Sequence, residues 1–405
     1  MLDFKPPKPN KTVIQVGKAI MPLINRLYLK GLTLEVDTES IARLKTTDGH
    51  PTVLAPNHAA HADPAVMFLL SKRRSQQYYY LTARETFDNG KFGGLCSLLL
   101  QWFGAYSIVR GTADRNAFRT TREILTKGDS PIVIFGEGEI SRQNATVMRF
   151  ERGITQLCFW ALDDMQKAEI SKPLYIVPIG IKYHYPQDMW DAIDAALTKL
   201  ELAILPPIER ESIGRYERLR RIGVAVLRTL AAEYQYKMNE TVPLDVHIQN
   251  LKEQILSHAE QIMGIHTDAD VLTRVRALKN LVDAEIYKDI EQMTEYEQKI
   301  HEELLQKFQQ FYPDLERLIN FIAISDGYVA KEPSPERFLE VIIRLEREVF
   351  GTAKMRGPRV ASLRVGEPKN LRECYDTYKT EKRETVEQIT LELETTVQTL
   401  VMGVS

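Results

Sequence analysis

Cysteine is nearly absent: Cys96, Cys158 and Cys374 are the only three in 405 residues, and they lie far apart. That excludes a disulfide framework and a CxxC zinc pattern, and it points to a reducing compartment. A surplus of one charge is missing too, with 53 Lys and Arg against 55 Asp and Glu. Nucleic-acid binders usually carry a basic excess, so nucleic acid is not an expected partner. No secretory signal is visible at the N-terminus. Long uncharged stretches are scarce. The longest, "FGGLCSLLLQWFGAYSIV" at 92–109, approaches the length of a membrane span, but its glycines, glutamine and serines suit a helix followed by a buried strand. The remaining composition is that of a soluble globular chain.

What is present first is alternation. "TVLA" (52–55), "YYYLTA" (78–83), "AYSIV" (105–109), "PIVIF" (131–135) and "LYIVPIGI" (174–181) read as strands. Between them "PAVMFLLSK", "GGLCSLLLQWF", "AFRTTREILTKG" and "GITQLCFWALDDMQKA" read as helices. This order predicts an α/β domain with a mostly parallel sheet flanked by helices, whose function sits at strand-to-helix loops. From about 209 the texture changes to long, charged, amphipathic patterns, including one run over 272–312. "GPRVASLRVGEPKNL" (357–371) then reads as a strand, and 372–402 as one more helix. A lone strand after a helical block needs a sheet to join. The expected division is an N-terminal basic amphipathic helical segment (1–45), an α/β domain (46–208), an inserted all-helical domain (209–356), and a closing strand and helix of the α/β domain (357–405).

The first thirty residues carry Lys5, Lys8, Lys11, Lys18, Arg26 and Lys30 against the single acid Asp3. Val13, Val16, Ile20, Ile24 and Leu27 recur at helical spacing, with Gln15, Lys18 and Asn25 off that face, and Pro22 is placed to kink the helix. Such a helix suits either an anionic membrane surface or the protein's own core. Peripheral membrane contact from the cytoplasm is the expectation.

The densest chemistry is "NHAAHADP", 57–64. Asp63 followed by Pro64 has the form of an N-cap and first helical residue, so Asn57 to Asp63 form a strand-to-helix loop. Within a helix, residues five apart point about 140° away from each other. His58 can therefore meet Asp63 only from a loop that turns back. Metal ligation is disfavoured, because Ala59 and Pro64 stand where an H-x-H-x-D-H site needs histidines. The other histidines offer no complementary spacing. No metal or cofactor is expected. A neutral imidazole can take a hydroxyl proton while a carboxylate holds its other nitrogen. On spacing alone, either His58 or His61 could pair with Asp63.

The segment Asn57, His58, Asp63 resembles the first signature block, N-H-x-x-x-x-D, of the glycerolipid acyltransferases, the lysophosphatidate acyltransferase family. Three later blocks follow in order: "AYSIVRGTADRNAFR" (105–119), "IFGEGEIS" (134–141) and "IVPIGI" (176–181), while "LRVGEPKNL" (363–371) is similar to the closing strand of many members. The resemblance covers about 50–205 and 357–375. It implies that His58 is a general base oriented by Asp63, with His61 a pocket residue. The acyl thioester would be acyl-CoA or acyl carrier protein, and the acceptor a lysophospholipid, 1-acylglycerol-3-phosphate giving phosphatidate. It further implies that Asn57, Arg110, Glu137, Gly138, Ser141 and Pro178 contact substrate. The third block departs from F-P-E-G-T-R-S: Gly136 replaces proline, Glu139 threonine and Ile140 arginine. Arg142 is the nearest substitute for that arginine, with Arg115 a further candidate. An acceptor other than lysophosphatidate, a thioesterase, and a lipid-binding scaffold with a degenerate site remain competing readings.

Overall fold

The computed structural model describes residues 3–88, 93–206, 213–239, 241–266, 268–288, 290, 293–321 and 326–403. The chain divides into two compact units, one made of residues 1–184 with 357–405 and the other of 185–356.

The first unit is α/β. Its strands are β1 (Leu32–Val36), β2 (Thr52–Pro56), β3 (Tyr79–Ala83), β4 (Ala105–Ile108), β5 (Ile132–Val133), β6 (Tyr175–His184), β7 (Arg359–Val365) and β8 (Lys369–Asn370). They form one sheet in the order β1-β7-β6-β2-β5-β3-β4, with β8 beside β6. Every pairing is parallel except those of β6 with β7 and with β8. The predicted mostly parallel α/β sheet is thus the observed one. β2 is buried along its whole length, as expected of a strand covered on both faces.

The helices of this unit are α1 (Lys11–Ile24), α2 (Thr38–Lys45), α3 (Asp63–Arg73), α4 (Gly93–Trp102), α5 (Arg115–Lys127) and α6 (Gly153–Lys167), with α15 (Tyr375–Thr380) and α16 (Lys382–Met402) at the far end of the chain. Strand alternation sorts side chains to two cores. Odd-numbered Val177, Ile179, Ile181 and Tyr183 of β6 pack with Val66, Met67 and Leu70 of α3. Even-numbered Ile176 packs in the opposite core, with Phe159 and Leu162 of α6 and Ile389, Leu393 and Val397 of α16.

The second unit holds α7 (Trp190–Ile204), α8 (Arg215–Glu233), α9 (Leu244–Met263), α10 (Val271–Ile286), α11 (Glu295–Gln309), α12 (Tyr312–Phe321), α13 (Tyr328–Lys331) and α14 (Pro335–Phe350). Its core joins Leu197 and Leu200, Ile222, Leu256, Leu278, Leu315 and Ile342, all fully buried or nearly so. In chain order the unit lies between β6 and β7, two hydrogen-bonded neighbours of one sheet.

Four boundaries differ from the sequence reading. The segment 1–45 is not wholly helical: "LTLEV" forms β1, parallel to β7, with Leu32 and Val36 buried. The expected boundary at 208/209 lies outside the described residues, and the helical unit begins earlier, at Tyr185. This is because α7 buries Ile193, Leu197 and Leu200 among the helices of that unit. The run over 272–312 is two helices, because Thr294 and Glu297 form a capping box that starts α11 afresh. The stretch 372–402 is likewise interrupted, by Glu381 between α15 and α16, whose φ of −130° and ψ of 62° are not helical.

Tight packing of α16 on β6 generates a prediction. A Cβ on Gly180 would meet Leu400 Cβ at 2.7 Å and the backbone nitrogen of Val401 at 3.0 Å. Gly180→Ala should therefore lift α16 and destabilise the α/β unit by about 1–3 kcal/mol, read as a lower urea midpoint with an unchanged slope.

Candidate active site

The site forms at the C-terminal edge of the parallel strands, where β2, β4 and β5 hand over to loops. β2 stops at Pro56, yet its ladder continues. Asn57 N–H donates to Ile179 O at 3.3 Å. Its side-chain amide then donates to Ile181 O (3.0 Å) and accepts from Ile181 N–H (2.7 Å). Two residues on, Asn144 repeats the pattern, donating to Tyr183 O (2.5 Å) and accepting from Tyr183 N–H (2.6 Å). Two carboxamides thus stand in for missing peptide groups along the edge of β6 and satisfy its backbone. Asn57, expected to contact substrate, is buried with both polar atoms of its carboxamide engaged in extending the strand.

His58 is fixed from every side. Its N–H donates to Glu137 Oε1 at 2.6 Å. Its carbonyl accepts from Ser141 N–H (2.8 Å) and Ser141 Oγ (3.1 Å). Its ring stacks on Phe135, with centroids 4.1 Å apart and planes at 20°. Its Nδ1 lies 2.8 Å from Asp63 Oδ2. With Asp63 ionised, Nδ1 carries the proton and Nε2 the lone pair. The loop before α3 does turn back, as the spacing requires, and it brings His58 rather than His61 to the acid. His61 is exposed.

Asp63 is not an N-cap. It is the first residue of α3, and the cap position is Ala62, which has no side-chain bond to offer. The carboxylate, fully buried, reaches backwards instead: Oδ2 also accepts from Ala60 N–H at 2.8 Å, and Oδ1 accepts from Tyr183 Oη at 2.5 Å. Three donors surround one buried charge, a requirement that outranks capping. Burial and the neighbouring Asp63 charge push the Tyr183 hydroxyl far above the usual phenol range, so it stays a donor.

Glu137 is likewise spent on backbone. Its Oε2 accepts from Met148 N–H at 3.0 Å while Oε1 holds His58. Burial raises its pKa to about 7, against the lowering effect of the two amide bonds. Ser141 holds His58, as above. Pro178 sits on the even face of β6, in contact distance of where a Gly366 Cβ would lie, beside Thr396 and Leu400 of α16. It is therefore beneath α16 and on the opposite face from Tyr183 and Asp63. Glu137 and Ser141, expected to contact substrate, thus bond the backbone around His58, and Pro178 lies beneath α16.

Arg110 follows β4 and is held by two carboxylates, Glu85 and Glu139, and by the carbonyl of Gly138 (2.9 Å). Gly138 has φ +69°, a backbone that favours glycine. Glu85 comes from the turn Arg84–Phe87 after β3. Arg142 follows Ser141 with φ +56° and is half-buried, and Arg115 is exposed at the start of α5. Gly136 is accounted for: its N–H donates to Pro56 O (3.3 Å), and the Phe150 ring fills the space of a side chain. A proline there would lose the donor and strike the ring.

Sequence reasoning missed four residues, Tyr183, Phe135, Asn144 and Glu85. Tyr183 alone had a signal, since it continues the odd-numbered apolar face of β6. Among the described residues, no group of three or more His, Cys, Asp or Glu is arranged to hold a metal ion.

Residues 35–182 match the family model described as Acyltransferase, an interval that contains His58, Asp63, Arg110 and Glu137. No curated protein matches the chain.

Glu137 generates a prediction with a defined sign. A pKa raised to about 7 in the folded state means the native protein binds the proton more tightly than the unfolded chain. The group's contribution to stability is then full below the usual glutamate pKa and is lost as pH rises towards 7. Urea midpoints across this window should fall with rising pH in the wild type and fall less in Glu137→Gln. The substitution also sets an amide NH2 against a backbone N–H, at a cost of about 1–3 kcal/mol.

Proposed function

Residues 35–182 being an acyltransferase-family domain, we propose that this protein moves a fatty acyl group from an acyl thioester to the hydroxyl of a lysophospholipid, with His58 as general base. Nε2 of His58 takes the hydroxyl proton as the oxygen attacks the thioester carbonyl. The C–S bond then breaks, and the proton passes to the departing thiolate. Asp63 fixes the Nδ1–H tautomer and stabilises the imidazolium between these transfers. The observation that carries this reading is the 2.8 Å His58–Asp63 bond on a loop whose backbone is pinned at both the N–H and the carbonyl. Acyl-CoA or acyl carrier protein is the donor, and 1-acylglycerol-3-phosphate, giving phosphatidate, is the acceptor that the family resemblance implies.

One observation favours a second reading of the acceptor. Arg110, whose planar fork suits a phosphate, is clasped by Glu85 and Glu139. Glu139 stands where the family has threonine. A phosphate entering here must displace a carboxylate from Arg110, whereas an uncharged acceptor need not. An acylglycerol alcohol without a phosphate beside the reacting hydroxyl fits this arrangement.

Acyl transfer should fall by about 100- to 10,000-fold in His58→Ala and Asp63→Asn, with the fold retained, while His61→Ala loses far less. Comparable losses at His58 and His61 would remove His58 from its role. Release of free fatty acid in the presence of a good acceptor would make the protein a thioesterase. If Glu139 sets acceptor choice, Glu139→Thr raises kcat/KM for lysophosphatidate about tenfold relative to an uncharged monoacylglycerol. An unchanged ratio would show that Glu139 has no part in selectivity.

A further inference from the structure

Helix α1 is mounted the opposite way from an ordinary surface helix. Its central lysine faces inwards: Lys18 is 9% exposed, and its ammonium donates to Gln76 O (2.9 Å) and Ser71 O (3.4 Å). Ile14, Gly17 and Met21 share that buried face. The outer face is apolar. Val16, Ile20 and Leu23, with Leu27 and Tyr28 of the π-helical turn Asn25–Leu29, are between 46% and 71% exposed. Residues 16, 20, 23 and 27 fall on one stripe at helical spacing.

A second pair of exposed apolar side chains lies on α4, the helix tied to the start of α1. Leu95 and Leu99, one turn apart on α4, are both exposed. Phe103, the next residue at that spacing, lies against Gly17 of α1, where a Cβ would touch its ring. Lys8 N–H and Asn10 N–H donate to Gln101 O and Trp102 O, both at 2.9 Å, which ties the start of α1 to the end of α4. A row of exposed apolar side chains such as that on α1 marks an interaction site.

Charge identifies the partner. Lys8 and Lys11 lie at one end of α1, Arg26 and Lys30 at the other, all exposed. No acid occurs from Phe4 to Leu34. No helix among the described residues is long and apolar enough to cross a membrane.

We propose that the outer face of α1, with Leu95 and Leu99 of α4, docks on an anionic lipid surface. The apolar side chains enter the headgroup–acyl boundary, and the four basic residues at the ends of α1 meet lipid phosphates. The helix lies in the interface rather than spanning it. This docking is independent of the reaction assigned to His58.

The test is co-sedimentation of the full chain with phosphatidylcholine vesicles, with and without phosphatidylglycerol. The wild type should bind the vesicles containing phosphatidylglycerol, and raised salt should weaken that binding. Leu23→Glu with Leu27→Glu should weaken binding at least tenfold, roughly the effect of losing two inserted side chains, without changing the melting temperature, since both are exposed. Arg26→Gln with Lys30→Gln should remove the preference for phosphatidylglycerol and leave weaker binding to both vesicles. Failure of the wild type to bind, or binding that survives the double glutamate variant, overturns the proposal. So does a wild-type dimer that the double glutamate variant dissociates, because the face would then be covered by a second copy.

Discussion

A carboxylate with no access to water must be given its donors by the protein, and Asp63 is such a group. The three donors it requires come from three separate places: the loop amide of Ala60, the ring of His58 and the hydroxyl of Tyr183. Supplying them imposes conditions well beyond the loop. β6 must run far enough past the end of β2 to bring Tyr183 over α3, and its freed edge must then be satisfied. The carboxamides of Asn57 and Asn144 do this, while Glu137 and Ser141 hold the His58 backbone where the ring can reach. Most residues around the site are thus supports for one histidine–carboxylate pair.

That distribution has a chemical logic. A general base works when its reacting nitrogen is held within a fraction of an ångström of its place. Packing alone leaves an imidazole free to flip, whereas here the ring has a bonded edge, a stacked face and a backbone anchored on both sides. Arg110 shows the same economy with the opposite consequence. Holding it between Glu85 and Glu139 makes it rigid, and at the same time makes its charge harder to use.

The fold was legible where periodicity was strong. The five strands from "TVLA" to "LYIVPIGI", and the helices between them, carry patterns that tertiary context had no reason to override. β1 was hidden because "LTLEV" follows directly on a basic helical stretch and shows only three alternating apolar positions. The break inside 272–312 was written in the sequence as Thr294 and Glu297, at the spacing of a capping box, but the charge pattern ran across it. At the site, motif order pointed to His58, Asp63 and Glu137, which the fold brings into hydrogen-bonding contact. It could not reveal that Asn57, Glu137 and Ser141 serve the backbone, because a polar residue beside a base reads the same whichever group it bonds. Nor does anything in a linear sequence connect Glu85 to Arg110, since they come from consecutive strand ends that only the sheet brings together. The Asp63-Pro64 pair misled in a simple way: it is a good helix start, but the cap was outbid by three better-placed donors.

The position of residues 185–356 between β6 and β7 also bears on how the chain assembles. His184 and Val360 are cross-strand partners, so the ends of the helical unit emerge side by side, as the ends of a hairpin turn do. An unstructured loop of that length would tax the pairing of β6 with β7 through the entropy of closing it. A helical unit that folds on its own local contacts brings its termini together first. To the sheet it is then kinetically a short turn, and the pairing of β6 with β7 becomes nearly a local one.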